Sequence, residues 1–296
     1  MAALKKAAFM AKVMALDAGQ GSVTPHGSLG ADGKWPEFVP AKEGDSRCSC
    51  PALNAMANHG ILPHDGKDIS FIEMGDLIRA TYNFSPSFCL FVPKYAANML
   101  NKDYHNDRFD LKDLDLHNGI EHDASLCRVD SALEPDQSKI PVEMIKALLA
   151  EATGKDADGK PLLTIEDLSR FSARRRVEAR ETNPDFTLEK IHKSFGSSNA
   201  STLLTVFGGR VEDIETVLLE ERLPDGWESR VLERYGLTII TFNLKAVNKV
   251  EKGIDEAKFI AEREDKKNLK ILDELEDEGV EGQSEEGASS AQHAAN

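Results

Sequence analysis

The feature that most constrains this chain is the Cys50-Pro51 step, which heads the stretch Arg47-Cys48-Ser49-Cys50-Pro51-Ala52-Leu53-Asn54-Ala55-Met56-Ala57-Asn58-His59-Gly60. Proline fixes φ near the helical value and is favoured at the first helical position, and glycine ends helices, so the spacing predicts a short apolar helix over 51–58. Cys50 then stands at the helix entrance, facing backbone N–H groups that have no partner within the helix. Those donors and the positive dipole end lower the cost of charge on sulfur, which is what a metal-ligating thiolate requires. The competing reading of Cys50 is a buried structural thiol. Cys48, the alternative ligand, lacks a following proline, and Cys-x-Cys as a zinc site lacks a second ligand pair. With Cys89 and Cys127 the chain has four cysteines, in no pattern of a secreted disulfide framework.

Charge narrows the partners. A net charge of −15 over 296 residues argues against nucleic acid, whose affinity comes from basic residues neutralising phosphates, and suits a neutral small molecule better. About half of the imbalance lies between Glu251 and Glu286, with 14 acidic and 6 basic residues. Near the start, Lys5 and Lys6 precede Ala-Ala-Phe-Met-Ala, but Lys12 cuts the apolar run short of a secretory core. No run is long enough to span a membrane. These features favour an intracellular setting over secretion, with a weak amphipathic anchor as the alternative.

Around the cysteine the sequence resembles the haem-thiolate peroxidases and peroxygenases of the chloroperoxidase type. The resemblance rests on Cys50-Pro51-Ala52-Leu53-Asn54, Ala57-Asn58-His59-Gly60 and Leu62-Pro63-x-Asp65-Gly66, with Trp35 and Asp45-x-Arg47 upstream. A second block, Glu121-His122-Asp123-Ala124-Ser125-Leu126 with Arg128, and a third, Glu221-Arg222-Leu223-Pro224-x-Gly226-Trp227, extend it over 35–227. It implies a mostly α, single-domain fold in which Cys50 is the axial ligand of haem b. It also implies Mg²⁺ or Mn²⁺ held by Glu121, Ser125 and the carbonyl of His122, with Asp123 accepting the imidazole N–H of His122. Hydrogen peroxide and a small organic molecule would be the substrates. On this reading 1–34 is an N-terminal arm, 35–227 the peroxidase domain, 228–278 an extension with a charged helix, and 279–296 a disordered tail.

The family's distal glutamate has no counterpart here. Two alignments place it at Asn199 or at Ser197, and no carboxylate exists between Lys190 and Arg210. Asparagine does not exchange protons near neutral pH but can hold a peroxide or substrate oxygen. Three consequences compete. His122, set by Asp123, carries the acid–base work; or His192 reaches the site, which needs one helix to run through Gly196-Ser197-Ser198; or the chain binds haem yet activates peroxide poorly and serves as a binding or interaction module. Losing an acid–base group costs about 10²–10⁴-fold, so slow peroxidase activity is the expectation.

Elsewhere the pattern predicts helices over 69–82, 141–151, 163–178, 201–207 and 214–219, the second opening on Pro141 and the third on a Thr164-x-x-Asp167 capping box. Phe84, Phe88, Leu90, Phe91 and Val92 form an aromatic and aliphatic cluster, which is pocket wall by resemblance and core by default. Residues 102–118 read as a solvated connection, and Arg174-Arg175-Arg176 as a solvated face or propionate-side neighbour. Residues 237–242 read as a last apolar element on the core. The charged helix over 255–278 has a thin stripe at Leu269, Leu272 and Leu275.

Overall fold

The structure is a computed structural model that describes residues 11, 15–17, 33–232 and 236–269. Most of the predicted arm, and everything past Leu269 including Leu272, Leu275 and the tail, lies outside the described residues. Regular structure is mostly helical. Among the described residues the strands form two antiparallel pairs: β1 (Ile69–Ser70) with β2 (Arg108–Phe109), and β3 (Gly154–Lys155) with β4 (Pro161–Leu162).

In chain order the helices are α1 (Pro51–Asn58), α2 (Phe71–Tyr82), α3 (Pro86–Met99), α4 (Val142–Ala150), α5 (Ile165–Thr182), α6 (Lys190–Thr205), α7 (Val211–Glu220), α8 (Ile239–Phe242) and α9 (Asn248–Gly253). A π-helical turn, Asn243–Val247, joins the last two. Their ends follow local chemistry. The Ser70 side chain accepts from the Glu73 amide to cap α2, and Asn83, at φ 63°, stops it in the left-handed conformation that asparagine tolerates. Thr164 and Asp167 form the capping box of α5, and Asp167 also accepts from the Thr153 amide and hydroxyl.

Residues 102–118 do not form a solvated connection throughout. Phe109 pairs across β1/β2 with Ile69 and stacks on Phe71 at 4.5 Å, and Leu111 and Leu114 are buried in a 3₁₀ turn, Leu111–Asp115. Charged residues flank these apolar ones closely enough to hide the pattern. The run Gly196-Ser197-Ser198 likewise stays helical, and α6 passes straight through it. Ser198, Ser201, Thr202 and Thr205 each donate to the carbonyl four residues back, which satisfies hydroxyls that otherwise compete with the helix.

Among the described residues the chain divides into two compact units, one ending at Ile254 and one beginning at Asp255. In the first, apolar side chains from α1 to α9 join one core that includes Leu237, Phe242, Val247 and Val250. The second is helical over 256–269, where Leu269 is exposed. No helix among the described residues is long and apolar enough to cross a membrane.

Candidate active site

Cys50 is the N-cap of α1, with extended backbone (φ −86°, ψ 106°), Pro51 first in the helix and no side-chain capping hydrogen bond. Burial pushes its thiol pKa up, and the amides of Leu53 and Ala52 pull it back down, as expected of sulfur at a helix entrance. The preceding loop is pinned on several sides. The Cys48 amide donates to Asn54 Oδ1 (3.0 Å), Asn54 Nδ2 donates to the Cys48 carbonyl (2.7 Å), and the Ser49 amide donates to Asp115 (2.7 Å). Tyr82 donates its hydroxyl proton to the Ala52 carbonyl in the first turn (2.7 Å). Cys48 itself is fully buried, its thiol within reach of the Cys50 carbonyl and Asn54 Oδ1.

Behind α1 lies a buried polar network that accounts for most of the signature polar residues. Glu221 Oε1 accepts from Asn54 Nδ2 (2.8 Å) and from Arg128 Nη2 (2.6 Å), while Asn58 Nδ2 donates to the Glu221 carbonyl (3.0 Å). Arg47 donates to Asn58 Oδ1 from both Nε and Nη2. Arg128 is only 1% exposed, so Glu221 is its charge partner in a dry setting. His59 closes the other end: the Leu223 amide donates to Nε2 (3.1 Å), so Nδ1 carries the proton and donates to the Pro36 carbonyl (2.6 Å).

The second block forms a tight turn organised by Asp130. Its carboxylate accepts from the Ala124 amide and Asn183 Nδ2 and pairs with Arg175, which also donates to the Ser125 carbonyl. Ala124 takes a left-handed φ of 61° there. The turn places His122 in the wall of a small cleft, about 10 Å³ in free volume, lined by His122, Asp123, Arg176, His192, Lys193 and Gly196 among others. That is room for about one water molecule, far below the range of organic-ligand pockets.

His122 Nδ1 lies 2.8 Å from the carbonyl of Asp123. A carbonyl only accepts, so Nδ1 holds the proton and Nε2 keeps its lone pair, buried and without a partner. Burial is the main reason its pKa is lowered, with His192 and Arg176 also disfavouring the imidazolium. The expected role of Asp123 is thereby corrected: its backbone carbonyl, not its carboxylate, orients His122. The carboxylate accepts from the Thr187 amide through Oδ2, leaving Oδ1 buried and unpartnered.

The other expected residues divide. His192 lies in the cleft on the uninterrupted α6, its ring stacked on that of His122 at 6.3 Å; Nε2 donates to the Asn118 carbonyl and Nδ1 is buried and unpartnered. Asn199 does not line the cleft. It is exposed, about 10 Å further along the helix axis than His192, because seven residues keep the face but advance the chain by two turns. Ser197 is turned inward and buried. Glu121 is buried, with Oε2 accepting from His117 Nδ1 (2.8 Å) and Oε1 unpartnered, and Ser125 is half-buried. Among the described residues no three His, Cys, Asp or Glu side chains converge on a metal position. Cys50 does not line the cleft either; Cys127 and Arg128, on the same turn as His122, lie close enough to shift its thiol pKa in opposite senses.

Arg174-Arg175-Arg176 is not a solvated face. Arg175 and Arg176 are buried and paired, the latter with Glu251. Glu251 and His117 were given no role from the sequence, and Glu221 and Arg176 entered only as members of a motif and of a basic run; the pairing of Arg176 with Glu251, 75 residues apart, leaves no local signal.

A haem-thiolate centre fits the donors present. Cys50 offers sulfur at a helix entrance, and Glu121 Oε1, His122 Nε2 and Asp123 Oδ1 are orphaned buried polar atoms on one turn, which native structures seldom leave unexplained. A family model described as "Peroxidase, family 2" matches residues 36–232. Similar proteins include a chloroperoxidase from Leptoxyphium fumago, 73% identical over 26 residues, which are 9% of this chain and 7% of that protein. They also include an aromatic peroxygenase from Cyclocybe aegerita, 25% identical over 192 residues, 58% of this chain and 50% of that protein. The chain thus spans at most half the length of these relatives.

Proposed function

The chain belongs to the haem-thiolate chloroperoxidase family, matched over residues 36–232, and on that premise we propose that it oxidises or oxygenates a small organic molecule with hydrogen peroxide. In this reading His122 replaces the missing distal glutamate as proton carrier. The observation that carries it is the unpartnered, deprotonated Nε2 of His122 in the cleft, its other nitrogen committed to the Asp123 carbonyl.

Haem bound through a thiolate supplies an iron centre to which sulfur donates electron density, favouring O–O cleavage over O₂ carriage. Cys50 would hold it, with α1 presenting the sulfur and the Asn54–Glu221–Arg128 network keeping α1 in place. Glu121, Ser125 and the His122 carbonyl would hold Mg²⁺ or Mn²⁺, since a carboxylate, a hydroxyl and a carbonyl suit a hard ion. His122 would accept the peroxide proton on Nε2 and return it to the departing oxygen, and stacking against His192 would keep its ring in plane for both transfers.

The test is His122→Ala in the haem-loaded protein. The expected result is a loss of about 10²–10⁴-fold in peroxide turnover with the reduced, carbon monoxide-bound spectrum unchanged. Unchanged turnover would remove His122 from the proton path. No turnover in the wild-type protein, with haem bound through sulfur, would favour the haem-binding module instead, a reading supported by the small cleft and by an α6 that brings no carboxylate.

A further inference from the structure

A carboxylate from a different part of the chain reaches α6 at Ser197. Glu251 lies on α9, beyond the matched residues 36–232, and reaches the α5/α6 interface. Its Oε2 accepts from Ser197 Oγ at 2.5 Å, and Ser197 is one of the two positions aligned with the family's distal glutamate. The same carboxylate takes Arg176 in a two-pronged pair, Nη1 to Oε1 at 3.2 Å and Nη2 to Oε2 at 2.7 Å. Arg176 lines the cleft with His122, whereas Glu251 does not. α9 is itself anchored at this point: Ser169 Oγ on α5 lies 3.0 Å from the Val250 carbonyl, and a Cβ on Gly253 would lie 2.6 Å from Ser169 Oγ, so a larger residue there must displace that hydroxyl.

Resting on the haem-thiolate reading above, we propose that Glu251 is a positioning residue of the cleft: it holds the Arg176 guanidinium in the wall beside His122, giving the cleft a fixed cation for a small anion or a developing oxyanion. A guanidinium gripped at both terminal nitrogens cannot swing out to solvent, and a preorganised cation stabilises developing charge without reorganising when it forms. The family-matched core carries the arginine, and α9 fixes its orientation.

Glu251→Gln tests this, because it keeps the side chain's shape and an acceptor for Ser197 while removing the charge that grips Arg176. The first readout is azide affinity of the haem-loaded protein, followed by its Soret shift. The second, on the haem-free chain, is solvent exchange of the Arg176 Nε proton by ¹⁵N NMR, assigned with Arg176→Lys. Glu251→Gln is expected to weaken azide about tenfold, the value of one charge-assisted hydrogen bond, and to speed the exchange, while Glu251→Asp keeps most of the azide affinity. A lower melting temperature with exchange and azide affinity unchanged would overturn the proposal and leave Glu251 as a tether for α9. Failure to take up haem through sulfur would sink the haem-thiolate reading alone, and the exchange rate would still decide the role of Glu251.

Discussion

Gly196→Ala separates stability from chemistry at this site. A Cβ on Gly196 would stand 3.2 Å from His122 Cε1 and 3.6 Å from Nε2, so the imidazole must give way by a few tenths of an ångström. Gly196 is interior to α6, where alanine is favoured by about 1 kcal/mol. Tilting the buried ring off its preferred rotamer costs about 0.5–1.5 kcal/mol. The two nearly cancel, and the melting temperature should move by no more than about 4 °C. Chemistry is less forgiving: a 1 Å misplacement can cost about 10²-fold, so a shift of a few tenths, with the cleft narrowed by a methyl group, should cost roughly tenfold. The assay pairs thermal melts with initial rates of peroxide-dependent oxidation of a chromogenic phenol, normalised to bound haem. An unchanged rate at an unchanged melting temperature would refute the placement of His122 at the reacting oxygen. A stability loss above about 3 kcal/mol would refute the argument that the ring can yield.

Two further substitutions address the network beneath Cys50. Glu221→Gln leaves the buried Arg128 without a charge partner and should destabilise the chain by about 3–5 kcal/mol in urea titrations, and a cost under 1 kcal/mol would mean that Arg128 finds another anion. Asp115→Asn should act with pH. Burial pushes Asp115 from 3.8 up to about 6, opposed by its bond from the Ser49 amide. Between those values the folded chain holds a proton that the unfolded chain has lost, so stability falls as pH rises through the window. In the haem-free chain the variant should therefore be more stable than wild type by about 1–3 kcal/mol at pH 8 and equal to it below pH 4; a less stable variant at pH 8 would contradict the sign.

The helical class and the Cys50 entrance were legible because each depends on local chemistry, a proline at the first position and a glycine at the stop. The caps at Thr164 and Asp167 were legible for the same reason. Leu111 and Leu114 were hidden because flanking aspartates broke the periodicity, although a five-residue 3₁₀ turn is enough to bury both. Asn199 illustrates a different limit. Spacing gives the face of a helix but not how far along the axis a cleft extends, and two turns carry Asn199 out into solvent. Asp123 shows that a motif can name the right residue with the wrong atom, since its side chain and its carbonyl bond to different partners. Glu251 was invisible because its meaning comes from where α9 docks, and a glutamate in a charged C-terminal stretch reads as a solvated one.

The central claim, that Cys50 holds a haem iron through sulfur, is tested most directly by the absorption spectrum of the haem-supplied protein, reduced and exposed to carbon monoxide. A Soret band red-shifted to the thiolate position is expected in the wild-type protein and should be absent from Cys50→Ala. An unshifted band, no bound haem, or a thiolate band that survives Cys50→Ala would contradict it.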